Sequence, residues 1–377
     1  MIYTDENELL LSVARREVAP PVVQQMDWEY VLTTARAHGL LPLLQKHLTG
    51  KAVPGHVLSR LKQEAVANSQ TMLHLVGKQL RIYKLFQEHG IQVAIFKGAL
   101  LAQMAYGEMS LRQAGDIDLL IRRPDFATAR LLLESLGYEM SPRLTHAQLA
   151  SHLSNNCEIQ FMRDEWFTVV DLHWDLAPRS FVFGLKADEV MSRLQSVSLA
   201  GTNVETFDAE DLLLYQAMHG AKHLWRRFEW ITSLAESLRA TPEVDWDTLI
   251  NRAAKAHATR ILALGLRLVE QFSDVPVPIV ASIDRDASMQ RMAAGIRAQI
   301  FNNLGYADST ETNLYNLRIM DRKRDAFVSA LRSIFVPTLP DWQALALPSS
   351  LHALYYAYRP LRLSKLYTLS LLSTLRR

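Results

Sequence analysis

Residues 91–121 read IQVAIFKGALLAQMAYGEMSLRQAGDIDLLI, and the reading of this stretch decides the fold. The β-rich run Ile91–Phe96 predicts a strand that stops at Lys97-Gly98. The apolar spacing of 99–106 predicts a helix directly after it, and Asp116–Ile121 predicts a second strand. Alternate side chains of a strand share a face, so Asp116 and Asp118 project together while Ile117 and Leu119 point the other way. Two carboxylates aimed at one small volume repel unless a cation lies between them, and hard oxygen ligands suit magnesium. The Lys97-Gly98 turn supplies the complementary half of a phosphate site. Glycine lets a ligand approach the backbone, the helix start offers free N–H groups, and lysine adds a full charge. Phosphoryl and nucleotidyl transfer need mainly such positioned metals and anion-binding groups.

A third carboxylate is expected from a neighbouring strand. The segment TVVDLHWD, residues 168–175, alternates Asp171, His173 and Asp175 with Leu172 and Trp174. Asp171 is the choice because it sits central in that strand, and Asp175 is the reserve. A further strand is expected at Cys157–Met162 and a helix at 125–136. Upstream, from Glu6 to Glu88, apolar residues recur at helical spacing; downstream, Asp208 reads as a helix cap opening another helical stretch. The fold class expected is α+β, a mixed sheet with flanking helices plus N- and C-terminal helical regions. The boundaries fall at 1–88 for the N-terminal helical region, 89–206 for the α/β core and 207–377 for the C-terminal helical region.

Composition narrows the classes. The 377 residues include 49% hydrophobic and 21% charged side chains, as in ordinary folded proteins. Lys and Arg total 41 against 39 Asp and Glu, so no global field favours long nucleic acid. Cys157 alone among the residues is a cysteine, which excludes an intramolecular disulfide and a cysteine-based zinc site. The acidic start and the absence of a spanning apolar window predict a cytoplasmic protein with no transmembrane segment.

With these residues in hand, the chain resembles the uncharacterised bacterial nucleotidyltransferase family within the DNA polymerase beta-like superfamily. The resemblance rests on Phe96-Lys97-Gly98, Arg112, Asp116-Ile117-Asp118-Leu119-Leu120, Gly137-Tyr138 and Asp171-Leu172-His173-Trp174. It extends to Trp28, His38-Gly39, Asp211-Leu212-Leu213, His219, His223, Pro340-Asp341 and Arg359-Pro360. It implies a nucleotidyltransferase-type sheet, two divalent metals on the paired aspartates and a third aspartate completing the site. Lys97-Gly98 stands where the superfamily carries Gly-Gly or Gly-Ser.

The expected function is transfer of a nucleoside monophosphate from a nucleoside triphosphate, ATP among them, to an unknown acceptor with release of pyrophosphate. Asp116, Asp118 and Asp171 are the expected catalytic and metal residues, with two Mg2+ ions or Mn2+ in their place. Lys97, Gly98 and Arg112 are the expected nucleotide contacts, although Arg112 could equally pair with Asp116 or Asp118. Small molecule, peptide or protein acceptors are favoured over long nucleic acid. The alternative is a non-catalytic nucleotide- or partner-binding module on the same fold. His219 and His223 stand one helical turn apart, but Gly220 occupies the position where a zincin needs glutamate. They are expected, with Lys222, to pack over the mouth of the site. Near the end, Leu361, Leu363, Leu366, Leu369, Leu372 and Leu375 are interspersed with Arg359, Arg362, Lys365, Arg376 and Arg377. That pattern predicts a basic amphipathic helix whose leucines pack inward, the other reading being an anionic membrane surface. Asp116→Asn and Asp118→Asn are each expected to abolish turnover while leaving the fold intact; near-normal rate in either purified variant would remove that residue from the site.

Overall fold

Alternation along Asp116–Ile121 sends Ile117, Leu119 and Ile121 into a core and leaves the two aspartates on the opposite face. The computed structural model describes residues 4–17, 26–163, 168–277, 286–302 and 309–374, with no side chains described after Leu366. Its central element is a five-stranded mixed sheet in the order β1-β2-β5-β4-β3. The strands are β1 (Val93–Ala94), β2 (Asp116–Ile121), β3 (Glu139–Ser141), β4 (Glu158–Arg163) and β5 (Thr168–His173). β2 runs parallel to β5, and every other pairing is antiparallel.

Before the sheet come α1 (Asp5–Arg15), α2 (Trp28–Ala37), α3 (Leu41–Leu48) and the long α4 (Gly55–Glu88). The second half of α4 places Met72, Val76, Tyr83 and Phe86 against the sheet's apolar face. A cut at residue 88 therefore falls at the end of a helix whose last turns belong to the sheet's core. Within the sheet unit lie α5 (Gly98–Tyr106), α6 (Phe126–Ser135), α7 (His146–Asn155) and α8 (Ala187–Met191). α6 adds Phe126, Ala129 and Leu133 to the same core. α5 ends where Gly107 adopts φ 75° and its N–H reaches the Gln103 carbonyl at 3.0 Å.

A hairpin of β6 (Gln195–Leu199) and β7 (Thr202–Thr206) follows, turned by Ala200 at φ 47° and Gly201 at φ 78°. It explains why β1 is only two residues long where the sequence predicts six. Ile95 N–H donates to the Glu205 carbonyl at 2.9 Å, so the chain leaves β2 for β7 after Ala94. Downstream are α9 (Ala209–Lys222), α10 (Phe228–Ala240), α11 (Trp246–Lys255) and α12 (Thr259–Phe272). Asp208 caps α9 by accepting from Asp211 N–H at 2.9 Å. These helices share one core with α1–α3, and Phe96, Leu101 and Tyr215 carry that core to the aspartate face of the sheet.

The chain closes with α13 (Ala287–Gln299), α14 (Ser309–Ile319), α15 (Lys323–Phe335), α16 (Leu339–Ala344) and α17 (Tyr355–Thr374). The expectation of inward leucines on the last helix fails at Leu361 and Leu366, whereas Leu363 is partly buried. Leu361 is 69% exposed and Leu366 49%, whereas Arg359 and Arg362 turn inward, each with a nitrogen 2.6 Å from Asp341. Asp341 is fully buried, and a buried carboxylate demands its partners more strongly than a leucine demands cover. Leu375, Arg376 and Arg377, and the side chains of Leu369 and Leu372, lie outside the described residues.

Gly220 sits in α9 where the chain folds back through Leu224 at φ 57° and Trp225 at φ 52°. A Cβ at 220 would stand 2.4 Å from the ring of the fully buried Trp225. Alanine would add helix propensity worth about 1 kcal/mol, yet overpacking a rigid ring costs about 1–3 kcal/mol. Gly220→Ala is thus expected to lower the melting temperature, checked by calorimetry; an unchanged or higher value would mean that the turn yields easily.

Candidate active site

β2 and β5 lie side by side with Asp118 opposite Asp171 and Asp116 opposite Val169. Register partners share a face, so Asp116, Asp118, Asp171 and His173 all project from the side away from Ile117, Leu119, Val170 and Leu172. Antiparallel β4 then brings Glu158 opposite His173. Donor atoms of Asp118, Asp171 and His173 lie within 4.8 Å of one another. Asp116 stands at the first residue of β2, less buried than Asp118. The reserve residue, Asp175, lies past the end of β5 and accepts from Leu176 N–H at 2.9 Å.

The cluster is held by charge. Lys97 Nζ donates to Asp118 Oδ1 at 2.7 Å, and His173 Nε2 stands 3.0 Å from the same oxygen. His173 Nδ1 lies 3.0 Å from Glu158 Oε2, so the imidazole links two carboxylates across β5. Burial would lift the Asp118 pKa, but Lys97 and His173 hold it well below the carboxylate range. Burial would lower Lys97 likewise, and the Asp118 charge outweighs it and raises the lysine. Glu158 is brought down to about 2 because His173, Lys222 and Lys97 outweigh its burial. Asp116 is pushed up to about 6 by burial and then by Asp118 and Asp171. Asp171 is raised by burial and by Asp118, and its buried Oδ1 has no hydrogen-bond partner.

Those last two residues are placed where added positive charge would be accommodated. An orphaned carboxylate oxygen beside a carboxyl raised by like charges fits a divalent cation. Gly98 opens α5 at φ 58°, a conformation that favours glycine, and its helix N-terminus faces the same end of the sheet. Lys97, expected on phosphate, is engaged with Asp118 and its side chain is 15% exposed.

Arg112, expected on phosphate or on one of the paired aspartates, has its Nε 2.9 Å from Glu229 Oε1 on α10. Arg227 reaches the other Glu229 oxygen at 2.7 Å, and a Cβ at Gly39 would fall 2.3 Å from that same oxygen. His38 completes this lock, accepting from Phe228 N–H through Nδ1 at 3.1 Å. His219 and His223 are kept neutral by burial, the first far below its usual range and the second at about 3. His219, Tyr215, Trp230, Lys97 and Arg112 surround a cavity of about 20 Å³, room for one water. Cys157, buried at the head of β4, has its thiol pushed up to about 12 by burial and by Glu158.

Sequence reasoning missed Glu158 and Glu229. Glu158 had a usable signal, since pairing the two expected strands antiparallel sets it against His173. Glu229 had none, because its partners Arg112, Arg227 and Gly39 come from separate parts of the chain.

Residues 24–274 match the model of a family described as uncharacterised nucleotidyltransferase. No curated protein matches the chain. Two solved structures resemble it at 17% identity. The antibiotic-resistance factor ANT(2'')-Ia aligns with a TM-score of 0.30 over 49% of this chain and 89% of that one. An antigenic nucleotidyltransferase-like protein from Paracoccidioides brasiliensis aligns with a TM-score of 0.33 over 57% and 92%.

A pH dependence follows from Asp116. A carboxyl raised from 3.8 to about 6 binds protons more tightly folded than unfolded, so its contribution to stability falls as pH rises through that window. Asp116→Asn should therefore stabilise the chelator-treated protein by about 1–3 kcal/mol at pH 7, with the gain vanishing near pH 4. Urea unfolding at both pH values checks this, and equal effects would remove like-charge repulsion as the cause. Asp118→Asn, expected from the sequence to leave the fold intact, should instead destabilise, because it leaves the largely covered Lys97 without a counter-ion.

Proposed function

The chain belongs to that family of uncharacterised nucleotidyltransferases, and on this footing we propose that it moves a nucleoside monophosphate from a nucleoside triphosphate to an acceptor hydroxyl or phosphate. The acceptor oxygen bonds to the α-phosphorus, the bond from that phosphorus to the bridging oxygen breaks, the acceptor proton is lost and pyrophosphate leaves. The observation that carries this reading is the register of Asp118 against Asp171 on adjacent parallel strands, with Asp116 two residues earlier on the same face.

Asp116, Asp118 and Asp171 would hold divalent cations, magnesium or manganese, with two ions expected. Bound there, the cations supply neutralisation of the triphosphate and alignment of its reacting oxygens. Lys97 keeps Asp118 ionised at every working pH, and Gly98 offers backbone N–H groups to the phosphates. Asp171, through its unpartnered Oδ1, serves the acceptor side. Arg112, tied to Glu229, fixes the wall behind Lys97. The near-neutral chain favours a small molecule, peptide or protein as acceptor, and the cytoplasm supplies triphosphate and magnesium. A binding module without chemistry would have no use for a cluster that raises its own carboxyls.

The test is incubation with each labelled nucleoside triphosphate, magnesium and candidate acceptors, followed by mass analysis. Addition of one nucleoside monophosphate with equimolar pyrophosphate is expected. Asp171→Asn, which breaks no ion pair, should lower the rate more than about 100-fold, since losses of 10–100-fold already follow from groups one step further from a metal. Bound nucleotide with no pyrophosphate under any acceptor would leave the binding-module reading standing.

A further inference from the structure

The C-terminal helices are built with their polarity reversed. On α15, Ser329 is buried and its hydroxyl donates to the Ser180 carbonyl, while Phe327, Leu331, Ile334 and Phe335 are exposed. Their spacing of four, three and one places these apolar residues on one side of the helix. On α17, which packs against α15, Arg359 and Arg362 reach inward to Asp341 and Leu361 is exposed on another side, while Leu366, one turn beyond Arg362, is exposed as well. Leu351 and Leu354 of the connecting turn and Tyr356 at the start of α17 are exposed as well. Of the exposed large hydrophobic residues among those described, all but Val66, Leu73, Leu131 and Met162 fall within 314–366. A helix pair that hides its polar groups and shows its leucines is made for an apolar surrounding.

Charge says which one. Arg318, Arg322, Lys323, Arg324 and Lys365 are exposed on this segment. Its carboxylates are not: Asp341 is fully buried, Asp325 faces His257 at 3.2 Å, and Asp321 accepts from Thr259 and Arg260 N–H at 2.8 Å. Arg318, Arg322 and Lys323 also line, with Met292, Ile296 and Leu317, a cavity of about 970 Å³, large enough for a headgroup and part of an acyl chain. A second copy would set these cations against themselves, and an anionic surface would be attracted. We propose that the outward face of α15 and α17 docks on an anionic lipid bilayer, with the apolar side chains entering the headgroup boundary and the cations meeting lipid phosphates. Contact is peripheral, as no described helix is long and apolar enough to cross a membrane. The segment lies beyond residue 274, where the family match ends.

The test is flotation of the full chain with vesicles of phosphatidylcholine alone or with about one third phosphatidylglycerol. Binding to the anionic vesicles only is expected, and it should weaken in high salt. The combined change Phe327→Ser, Leu331→Ser and Ile334→Ser alters exposed positions, so an unchanged melting temperature is expected alongside at least about a tenfold loss of partitioning. The combined change Arg322→Gln, Lys323→Gln and Arg324→Gln should lose about as much. The proposal is overturned by absence of binding to either vesicle, by equal binding to both, or by full binding of the serine variant. A dimer in light scattering that the serine changes dissolve, without vesicle binding, would make a second copy the occupant and overturn it too.

Discussion

The ion pair between the buried Asp118 and the largely covered Lys97 is the constraint on which the rest of the site depends. Asp116, Asp118, Asp171 and Glu158 crowd one face of a sheet whose other face is apolar, and such crowding is stable only if positive charge is interleaved. Lys97 supplies it and His173 bridges two of the carboxylates, giving a line of lysine, aspartate, histidine and glutamate across four separate segments. Each member is delivered by a different element, the turn before α5, then β2, β5 and β4. A slip of one residue between β2 and β5 would send Asp171 into the core and Leu172 into the charge line. The apolar set of Ile117, Leu119, Val170 and Leu172 forbids that slip, so the core enforces the register that the site uses.

Local pattern made β2, β5, α5, α6 and the Asp208 cap readable in advance, because alternation, periodicity and capping are properties of neighbouring residues. What was not readable was set by partners distant in sequence. β1 shortens because Glu205 of an unanticipated hairpin captures Ile95. Arg112 turns from phosphate to Glu229 because α10 carries a buried carboxylate past it. Leu361 and Leu366 are exposed while Asp341, in the preceding helix, claims the arginines beside them. Periodicity identified that helix as amphipathic, but it carries no information on which face is inside when a buried charge outbids a leucine.

The same device recurs through the helical part. Asp211, fully buried, is held by Arg193 at 2.7 Å and Arg252 at 2.8 Å; Glu229 is held by Arg112 and Arg227; Asp341 by Arg359 and Arg362. Buried pairs of this kind add little net stability, since desolvation consumes most of the Coulombic gain, but they tolerate few alternative arrangements. They fix how α9, α10 and α17 are rotated against their neighbours. Several of the residues to which the sequence resemblance extends, His38-Gly39 and Asp211 within the family match and Asp341 and Arg359 beyond it, are members of these locks.

Cys157 gives the molecule an internal clock. The chain's one thiol is sealed at the head of β4, directly before the glutamate that ends the charge line, and with its pKa pushed up to about 12 almost none of it is thiolate at neutral pH. An alkylating reagent can therefore react only when β4 parts from its neighbours and water enters. The rate at which the native protein is labelled counts those openings, and any ligand that knits the acidic face together will make the clock run slow.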